Sequence, residues 1–179
     1  MPVVWYMGKP PELSAEEEYC LTNCSTYEQY HHMRTGFENN TCPFCVPDHV
    51  RNVKLEGTNA HWYVCDNAFP RDTLETQLLM WPHRHVRNPW DLSQEEWLAL
   101  FDVLRWVESE YHLPGGMLFA RFGDNRWSEG TVPHLHFHIW VPNNTDEVRI
   151  PILKNATVRA ENANRAAAFA ARYEAGEKP

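Results

Sequence analysis

Long apolar runs and an excess of positive charge are both missing from this sequence. No apolar stretch approaches the roughly 18 to 20 residues that a membrane-spanning helix needs. Residues 1–20 show no basic segment followed by an apolar one, the pattern of a secretory leader. Lys and Arg number 16 against 24 Asp and Glu, which gives a formal net charge of −8. We therefore expect a soluble, cytoplasmic protein that binds neither an anionic membrane nor a nucleic-acid backbone through general charge.

Cysteine is scarce and odd in number, which makes a disulfide framework a poor interpretation. The chain has five cysteines in 179 residues. Hydrophobic residues make up 43% of the sequence, which is enough for one core that needs no disulfide bonds. Cys42-Pro-Phe-Cys45 forms a CxxC pair, whereas Cys65 stands alone. Free thiols or a metal site are therefore favoured. Cys20 and Cys24 lie four apart on a predicted helix, and we interpret them as core thiols.

Helix signals occur in three places. Ser14 and Glu17 have the spacing of a capping box, and so do Ser93 and Glu96, which precede an apolar pattern of period 3.6 that ends near a Pro-Gly-Gly turn. Residues 156–175 are rich in alanine and predict a terminal helix exposed to solvent.

Strand signals fill the middle of the chain, where β-branched and aromatic residues alternate with turn residues. The predicted strands are 61–65, 74–81, 117–122 and 134–141. Residues 36–50 collect Gly, Asn, Pro and two Cys and predict a loop with a possible metal knuckle.

The last predicted strand carries three imidazoles at a period of two. Because alternate residues of a strand point to opposite faces, His134, His136 and His138 share one face. The intervening residues are large and apolar and are expected in the core: Leu135, Phe137 and Ile139. Three solvent-facing histidines and a three-His transition-metal site are the alternatives that the pattern leaves open.

The segment from His134 to Trp140 resembles the HφHφHφφ motif of the histidine triad superfamily of nucleotide hydrolases and nucleotidyltransferases. Upstream, residues 64–70 and 76–80 and the Pro82-His-Arg-His85 segment resemble the ribose-binding strand and the Pro-x-x-His strand end of that family. The resemblance covers residues 42–142 and implies an α+β fold, an antiparallel β-sheet with flanking helices. It predicts an N-terminal helical extension over 1–40, a catalytic domain over 41–145 and a C-terminal extension over 146–179.

The resemblance also implies catalytic roles. His136 would attack the α-phosphorus of a nucleotide to give a nucleotidyl-histidine intermediate, and His138 would contact the phosphate oxygens. Thr131 matches a phosphate-binding Ser or Thr position. The Gln that usually stands beside it is absent, and Gly130 takes its place after Glu129.

Further ligand contacts are implied for the nucleoside and for the missing Gln. Asn67 matches the residue that touches ribose, and Phe69 resembles the start of the nucleoside wall. Asn125, Arg121 and Arg126 are candidates to replace the lost amide in charge stabilisation, because phosphoryl transfer depends on positioning and electrostatics.

The same resemblance pairs the CxxC motif with two histidines. Cys42, Cys45, His85 and His134 would form a closed Cys₂His₂ site for a structural zinc ion, with two reduced buried cysteines as the alternative. His83 is one residue out of phase with His85 and is expected to point away.

The resemblance thus implies an enzyme that acts at the α-phosphorus of a dinucleoside polyphosphate, a nucleoside phosphoramidate or a similar nucleotide. The alternatives are a nucleotide-binding sensor or scaffold without turnover and a transition-metal protein that uses the triad. The resemblance further implies a homodimer.

Overall fold

The computed structural model describes residues 12–45, 53–54, 57–145, 147–150 and 154–179. Within these ranges the α-helices are α1 (Ala15–Thr22), α2 (Tyr27–Glu38), α3 (Gln94–Tyr111), α4 (Asn125–Ser128) and α5 (Ala156–Glu174). A short 3₁₀ helix spans Pro89–Asp91. None of the helices in the described part of the chain is long and apolar enough to cross a membrane.

A four-stranded antiparallel sheet forms the centre of the fold. Its strands are β1 (Trp62–Asp66), β2 (Leu74–Pro82), β3 (Met117–Arg121) and β4 (His136–Pro142). They lie in the order β1-β2-β4-β3, and each neighbouring pair runs antiparallel. The expected α+β fold is therefore confirmed, with β4, the triad strand, in the interior of the sheet.

Helix α3 covers one face of the sheet, and local sequence explains where it begins. The Ser93 hydroxyl accepts a hydrogen bond from the Glu96 N–H at 3.2 Å, and the Glu96 carboxylate accepts one from the Ser93 N–H at 2.7 Å. This capping box satisfies two N–H groups that a helix start leaves unpaired. The helix contributes Leu100, Val103 and Val107 to the core under the sheet. The apolar residues of the triad segment meet them there, as predicted: Leu135, Phe137 and Ile139.

Helices α1, α2 and α5 pack on one another on the side of the molecule opposite α3. The predicted capping box of α1 is present at Ser14 and Glu17. Most residues of helix α5 are exposed to solvent, as predicted, and one side of the helix, with Phe169 and Tyr173, packs against a ring of α2. Cys20 and Cys24 are buried in this layer, as predicted for core thiols, although Cys24 lies beyond the end of α1.

Two sequence predictions need correction. The triad strand begins at His136 rather than at His134, because Pro133 has no N–H to pair and Leu135 donates its N–H to Val86 outside the sheet ladder. The predicted loop over 36–50 begins inside α2, which ends at Glu38. Residues 46–50 of that loop lie outside the described residues.

Candidate active site and metal cluster

His136 is held by the backbone of its own segment. Its Nδ1 lies 2.7 Å from the carbonyl oxygen of His134. Because a carbonyl oxygen only accepts, Nδ1 carries the proton and Nε2 carries the lone pair. Burial lowers the pKa of His136 to about 4, although the hydrogen bond to His134 opposes this shift. The imidazole is therefore neutral at pH 7, which is the form that acts as a nucleophile.

His138 lies next to His136 on the same face of β4. Its ring stacks on Phe119 at 4.7 Å between centroids and 14° between planes. Neither ring nitrogen has a hydrogen-bond partner within the described chain, although both are buried. Burial, followed by the neighbouring His136 and Arg121, lowers the pKa of His138 well below its ordinary value. Unpaired buried polar atoms are costly, which points to a ligand as the missing partner.

Both imidazoles open onto a cleft of about 1000 Å³ between the sheet and the helices of the N-terminal layer. A cleft of this size is at the upper end of what small-molecule sites offer. Residues matched by resemblance to nucleotide contacts line it: Asn67, Phe69, Gly130, Thr131, His136 and His138. The Oδ1 atom of Asn67 accepts the N–H of Phe69 at 3.0 Å, which fixes the turn at this end of the cleft.

Asn125 does not line the cleft. Its side chain is buried, with Nδ2 3.1 Å from the sulfur of Cys20 and Oδ1 accepting from the Ser128 hydroxyl at 3.0 Å. It also lies directly under Gly130, where an added Cβ would come within 2.6 Å of Asn125 Oδ1. The structure therefore places Asn125 as support for the loop before the triad, and it explains why glycine stands at 130.

Of the two arginines considered as replacements for the missing Gln, only Arg121 faces the cleft. Arg121 is the register partner of His136 across the β3–β4 pair, and its guanidinium donates to the carbonyl of Ser128. Arg126 instead forms hydrogen bonds to Asp124 at the surface. The two side chains thus differ in their access to a bound phosphate.

The four predicted metal ligands come together in one cluster. The ligand atoms of Cys42, Cys45, His85 and His134 all lie within 4.8 Å of one another. Cys45 Sγ is 3.2 Å from His85 Nδ1 and 3.6 Å from His134 Nδ1, and Cys42 Sγ is 3.5 Å from His134 Nδ1. Ligands of a tetrahedral zinc ion are about 3.3 to 3.8 Å apart, given bonds of about 2.0 to 2.3 Å. The donor set therefore fits zinc, and these three separations are close to that range.

The surroundings of the cluster orient its ligands. His134 Nε2 lies 3.1 Å from the carbonyl oxygen of Pro82, so that Nε2 donates and Nδ1 faces the thiols with its lone pair. The ring of Phe44, between the two cysteines, stacks on Trp81 at 4.8 Å and meets the ring of His136 at 5.3 Å. Trp81 Nε1 donates to the Phe44 carbonyl oxygen at 3.0 Å. The segment between the two cysteines thereby contacts the surroundings of His136.

His83 points away from the cluster, as its phase predicted. Its ring stacks on Tyr63 with centroids 3.8 Å apart. The alternative of a metal held by all three triad imidazoles is not favoured, since His134 turns towards the thiols. Among the residues that the structure describes, the Cys₂His₂ cluster is the group of His, Cys, Asp and Glu side chains spaced to hold a metal ion.

Sequence reasoning missed a second buried network beside the triad. The carboxylate of Glu129 is fully buried and accepts from the Tyr19 hydroxyl at 2.8 Å. The Lys154 ammonium lies 3.3 Å from it and the Arg159 guanidinium 3.7 Å. Asn23 Nδ2 donates to the Gly130 carbonyl at 3.0 Å. Residues from both ends of the chain thus hold the loop that precedes the triad. No local sequence pattern indicates contacts between residues so far apart in the chain.

Comparisons with known proteins place the fold. No protein-family model and no curated protein matches the chain. The chain is similar to the crystal structure of a histidine triad nucleotide-binding protein from Candida albicans, with 15% identity over 74% of this chain and 99% of that one and a TM-score of 0.50. A zinc-bound histidine triad family protein from Mycobacterium smegmatis shows 18% identity over 77% and 99% of the two chains, with a TM-score of 0.47.

Proposed function

From the premise that this chain has the histidine triad fold, we propose that it is a nucleotide hydrolase or nucleotidyltransferase. It acts at the α-phosphorus of a nucleoside 5′-phosphate derivative through a covalent intermediate on His136. The observation that carries the proposal is the hydrogen bond from His136 Nδ1 to the His134 carbonyl, 2.7 Å long. It leaves a neutral imidazole with its Nε2 lone pair free at the wall of a cleft.

The first chemical step forms one bond and breaks another. The Nε2 lone pair of His136 attacks the α-phosphorus, and the bond from that phosphorus to the leaving oxygen or nitrogen breaks. The leaving group departs with the electron pair and takes up a proton. In the second step, water or another acceptor attacks the phosphorus, loses a proton, and returns the electron pair of the P–N bond to His136.

Three other residues act on the charge that develops at the phosphate. The imidazole of His138, which has no hydrogen-bond partner in the described structure, contacts the phosphate oxygens. Arg121 lines the cleft in register with His136 and takes over the electrostatic task of the missing Gln. The Thr131 hydroxyl, also at the cleft wall, donates to a phosphate oxygen.

The zinc site has a structural role in this proposal. Cys42, Cys45, His85 and His134 would hold the ion with four protein ligands, which would leave no open position for substrate or water. When bound, the ion would connect the CxxC segment to the segment that follows β2 and to the start of the triad. His134 therefore fixes the backbone carbonyl that holds His136, rather than taking part in the reaction.

A homodimer is part of the proposal and has its own support. Strand β3 lies at an edge of the sheet, and its Met117 and Leu118 are about half exposed. Trp97, Leu98 and Phe101 on α3 are exposed as well. Exposed apolar side chains and a strand at the edge of a sheet are both typical of protein–protein interfaces. We propose a second copy of this chain as the partner.

The test is an activity panel with a binding arm. Release of nucleoside monophosphate is followed for adenosine, guanosine, cytidine and uridine 5′-phosphoramidates and dinucleoside polyphosphates. Wild type is expected to turn over at least one substrate, and His136→Ala to lose at least 10⁴-fold in kcat. His61→Ala, a histidine outside the site, serves as the control. If nucleotides raise the melting temperature but no product forms, the protein is a nucleotide-binding sensor or scaffold and the enzymatic proposal fails.

A further inference from the structure

The triad face of β4 continues beyond His138 to Trp140. Trp140 is the register partner of Gln77 on β2, and both line the cleft. Gln77 in turn accepts the N–H of Asn67 through its backbone oxygen at 2.8 Å. Asn67, Gln77 and Trp140 therefore lie in one row across the sheet, about 13 Å along the strand from His136 at ~3.3 Å per residue. The row lies beyond His138, on the side away from His136.

Arg71 lies over this row. Its guanidinium carbon is 4.9 Å from the centroid of the Trp140 ring. A guanidinium that stacks on an aromatic face keeps its N–H groups in its own plane, where they remain able to bind an anion bidentately. The indole N–H of Trp140 is also buried without a hydrogen-bond partner in the described chain. Two donor groups, the Arg71 guanidinium and the Trp140 indole N–H, thus lie together in this part of the cleft.

Charge pairing sets Arg71 apart from most arginines of this acidic protein. Ion pairs with carboxylates engage seven of them: Arg34, Arg84, Arg87, Arg126, Arg149, Arg159 and Arg172. No carboxylate pairs with Arg71 within the described ranges. Burial is the largest cause of the lowered pKa of Arg121, and the positive charge of Arg71 is the second. The two guanidinium groups therefore repel each other across the cleft, and a bound anion would relieve this repulsion.

The backbone around Arg71 is fixed before any ligand binds. Its N–H donates to Oε1 of the buried Gln77 at 3.0 Å, and its carbonyl accepts from Leu74 at 3.1 Å. Asn143 donates to the carbonyl of Asp72 at 2.7 Å. A side chain on such a turn loses less freedom on binding than one on a mobile loop, which favours affinity.

We propose that Arg71 and Trp140 form a second anion subsite, which takes an additional phosphate of the nucleotide, distinct from the one whose phosphorus His136 attacks. This subsite rests on the proposed function. Its place in the same row as Asn67, the ribose contact, favours a phosphate on the 2′ or 3′ oxygen of the ribose. A distal phosphate of a 5′ chain offers the same chemistry and is the other source.

The test measures binding rather than turnover. Dissociation constants of wild type are determined by calorimetry for nucleoside 5′-monophosphates, 2′,5′-bisphosphates, 3′,5′-bisphosphates and 5′-diphosphates of all four bases. We expect one of the ligands with two phosphates to bind at least tenfold more tightly than its 5′-monophosphate. Tighter binding of a 2′,5′- or 3′,5′-bisphosphate shows that the subsite takes a phosphate on the ribose. Tighter binding of the 5′-diphosphate alone shows that it takes the second phosphate of the 5′ polyphosphate.

Variants connect that gain to the subsite. Arg71→Gln is expected to abolish it and to leave the dissociation constant of the 5′-monophosphate within twofold. Arg71→Lys keeps the charge without the planar stack and should retain part of the gain. Arg149→Gln, which alters an exposed arginine paired with Glu147, is the matched control and should retain all of it.

The outcomes separate this inference from the proposed function. Equal binding of all phosphorylated forms, or a gain that survives in Arg71→Gln, overturns the subsite and leaves the function intact. Failure of every nucleotide to bind overturns both. A tenfold gain that depends on Arg71 supports the subsite even if no nucleotide is hydrolysed.

Discussion

The carbonyl oxygen of His134 accepts a hydrogen bond from His136 Nδ1 at 2.7 Å, while the imidazole of His134 faces the thiols of Cys42 and Cys45. One residue thus connects the metal cluster to the proposed nucleophile through its side chain and its backbone. Any change that moves His134 also changes the hydrogen bond that selects the tautomer of His136. Metal binding and catalysis are therefore expected to fail together when a ligand is lost.

The first prediction concerns the metal. Cys45→Ser removes one thiolate, and we expect metal analysis to give one equivalent of zinc for wild type and none for the variant. Because structural zinc sites contribute folding energy directly, its thermal midpoint should fall by 10 °C or more, on the order of several kcal/mol. His83→Ala, which removes an imidazole that stacks on Tyr63 outside the cluster, should keep the zinc. Full zinc content in Cys45→Ser would exclude the Cys₂His₂ site.

The second prediction distinguishes two arginines. Arg121→Gln should lower kcat by about 10² to 10³, the usual effect of removing one charge-stabilising group from an active site. Arg126→Gln should stay within twofold of wild type, because its guanidinium pairs with Asp124 at the surface. Steady-state kinetics on the best substrate of the panel checks both. Equal loss in the two variants would contradict the role assigned to Arg121.

The third prediction concerns Glu129, whose buried carboxylate is surrounded by Tyr19, Lys154 and Arg159. Glu129→Gln leaves the Lys154 ammonium, which is only 12% exposed, without a counter-charge. We expect a loss of about 3 to 5 kcal/mol in the free energy of unfolding, measured by denaturant titration. Tyr19→Phe removes one hydrogen bond and should cost about 1 to 3 kcal/mol. A neutral effect of Glu129→Gln would show that the network does not hold the loop.

The fourth prediction uses the pH dependence of stability. Glu96 accepts two hydrogen bonds from the Arg84 guanidinium, at 3.1 and 2.7 Å, and this pairing lowers the pKa of the Glu96 carboxyl despite its burial. A depressed pKa in the folded state adds stability that is present above the unfolded value, about 4.3, and is lost as pH falls through the folded value.

Glu96→Gln should therefore be less stable than wild type at pH 7, by about 1 to 3 kcal/mol, and the difference should shrink below about pH 4. Thermal melts from pH 3 to pH 7 measure this convergence. Glu108→Gln, which changes an exposed glutamate on the same helix, is the control and should have the same thermal midpoint as wild type at each pH. If the thermal midpoints of Glu96→Gln and wild type differ by the same amount at every pH, the charge of Glu96 does not explain the difference in stability.

The fifth prediction tests the homodimer. Leu98 is 63% exposed on α3, so that Leu98→Glu should not disturb the core of the monomer. We expect light scattering after size exclusion to give a dimer mass of about twice 21.0 kDa for wild type and a monomer mass for the variant. Asp102→Asn, an exposed change on the same helix, is the control. A wild-type monomer at micromolar concentration would contradict the dimer.

Features with local causes could be predicted from the sequence. Each capping box joins residues three apart, so that Ser14 with Glu17 and Ser93 with Glu96 are visible in the sequence and are present in the structure. The alternation around His136 likewise placed its apolar neighbours in the core. The metal cluster followed from family resemblance, and the structure brings its four ligands together.

Features with distant causes could not be predicted. The position of helix α2 depends on rings of α5 more than 130 residues away. Glu129 and Tyr19 are separated by 110 residues, so that nothing near either one indicates their hydrogen bond. Asn125 was predicted at the nucleotide, but its buried amide instead contacts the sulfur of Cys20, which a loop pattern does not reveal.

The central claim is that His136 forms a covalent bond to the α-phosphorus. Intact protein mass is measured after brief mixing with each substrate of the panel and an alkaline quench, which preserves phosphohistidine. The account predicts a mass gain of one nucleotidyl group in wild type, located on His136 by peptide mapping, and no gain in His136→Ala. Product release from wild type without any adduct, or an adduct that persists in His136→Ala, would contradict it.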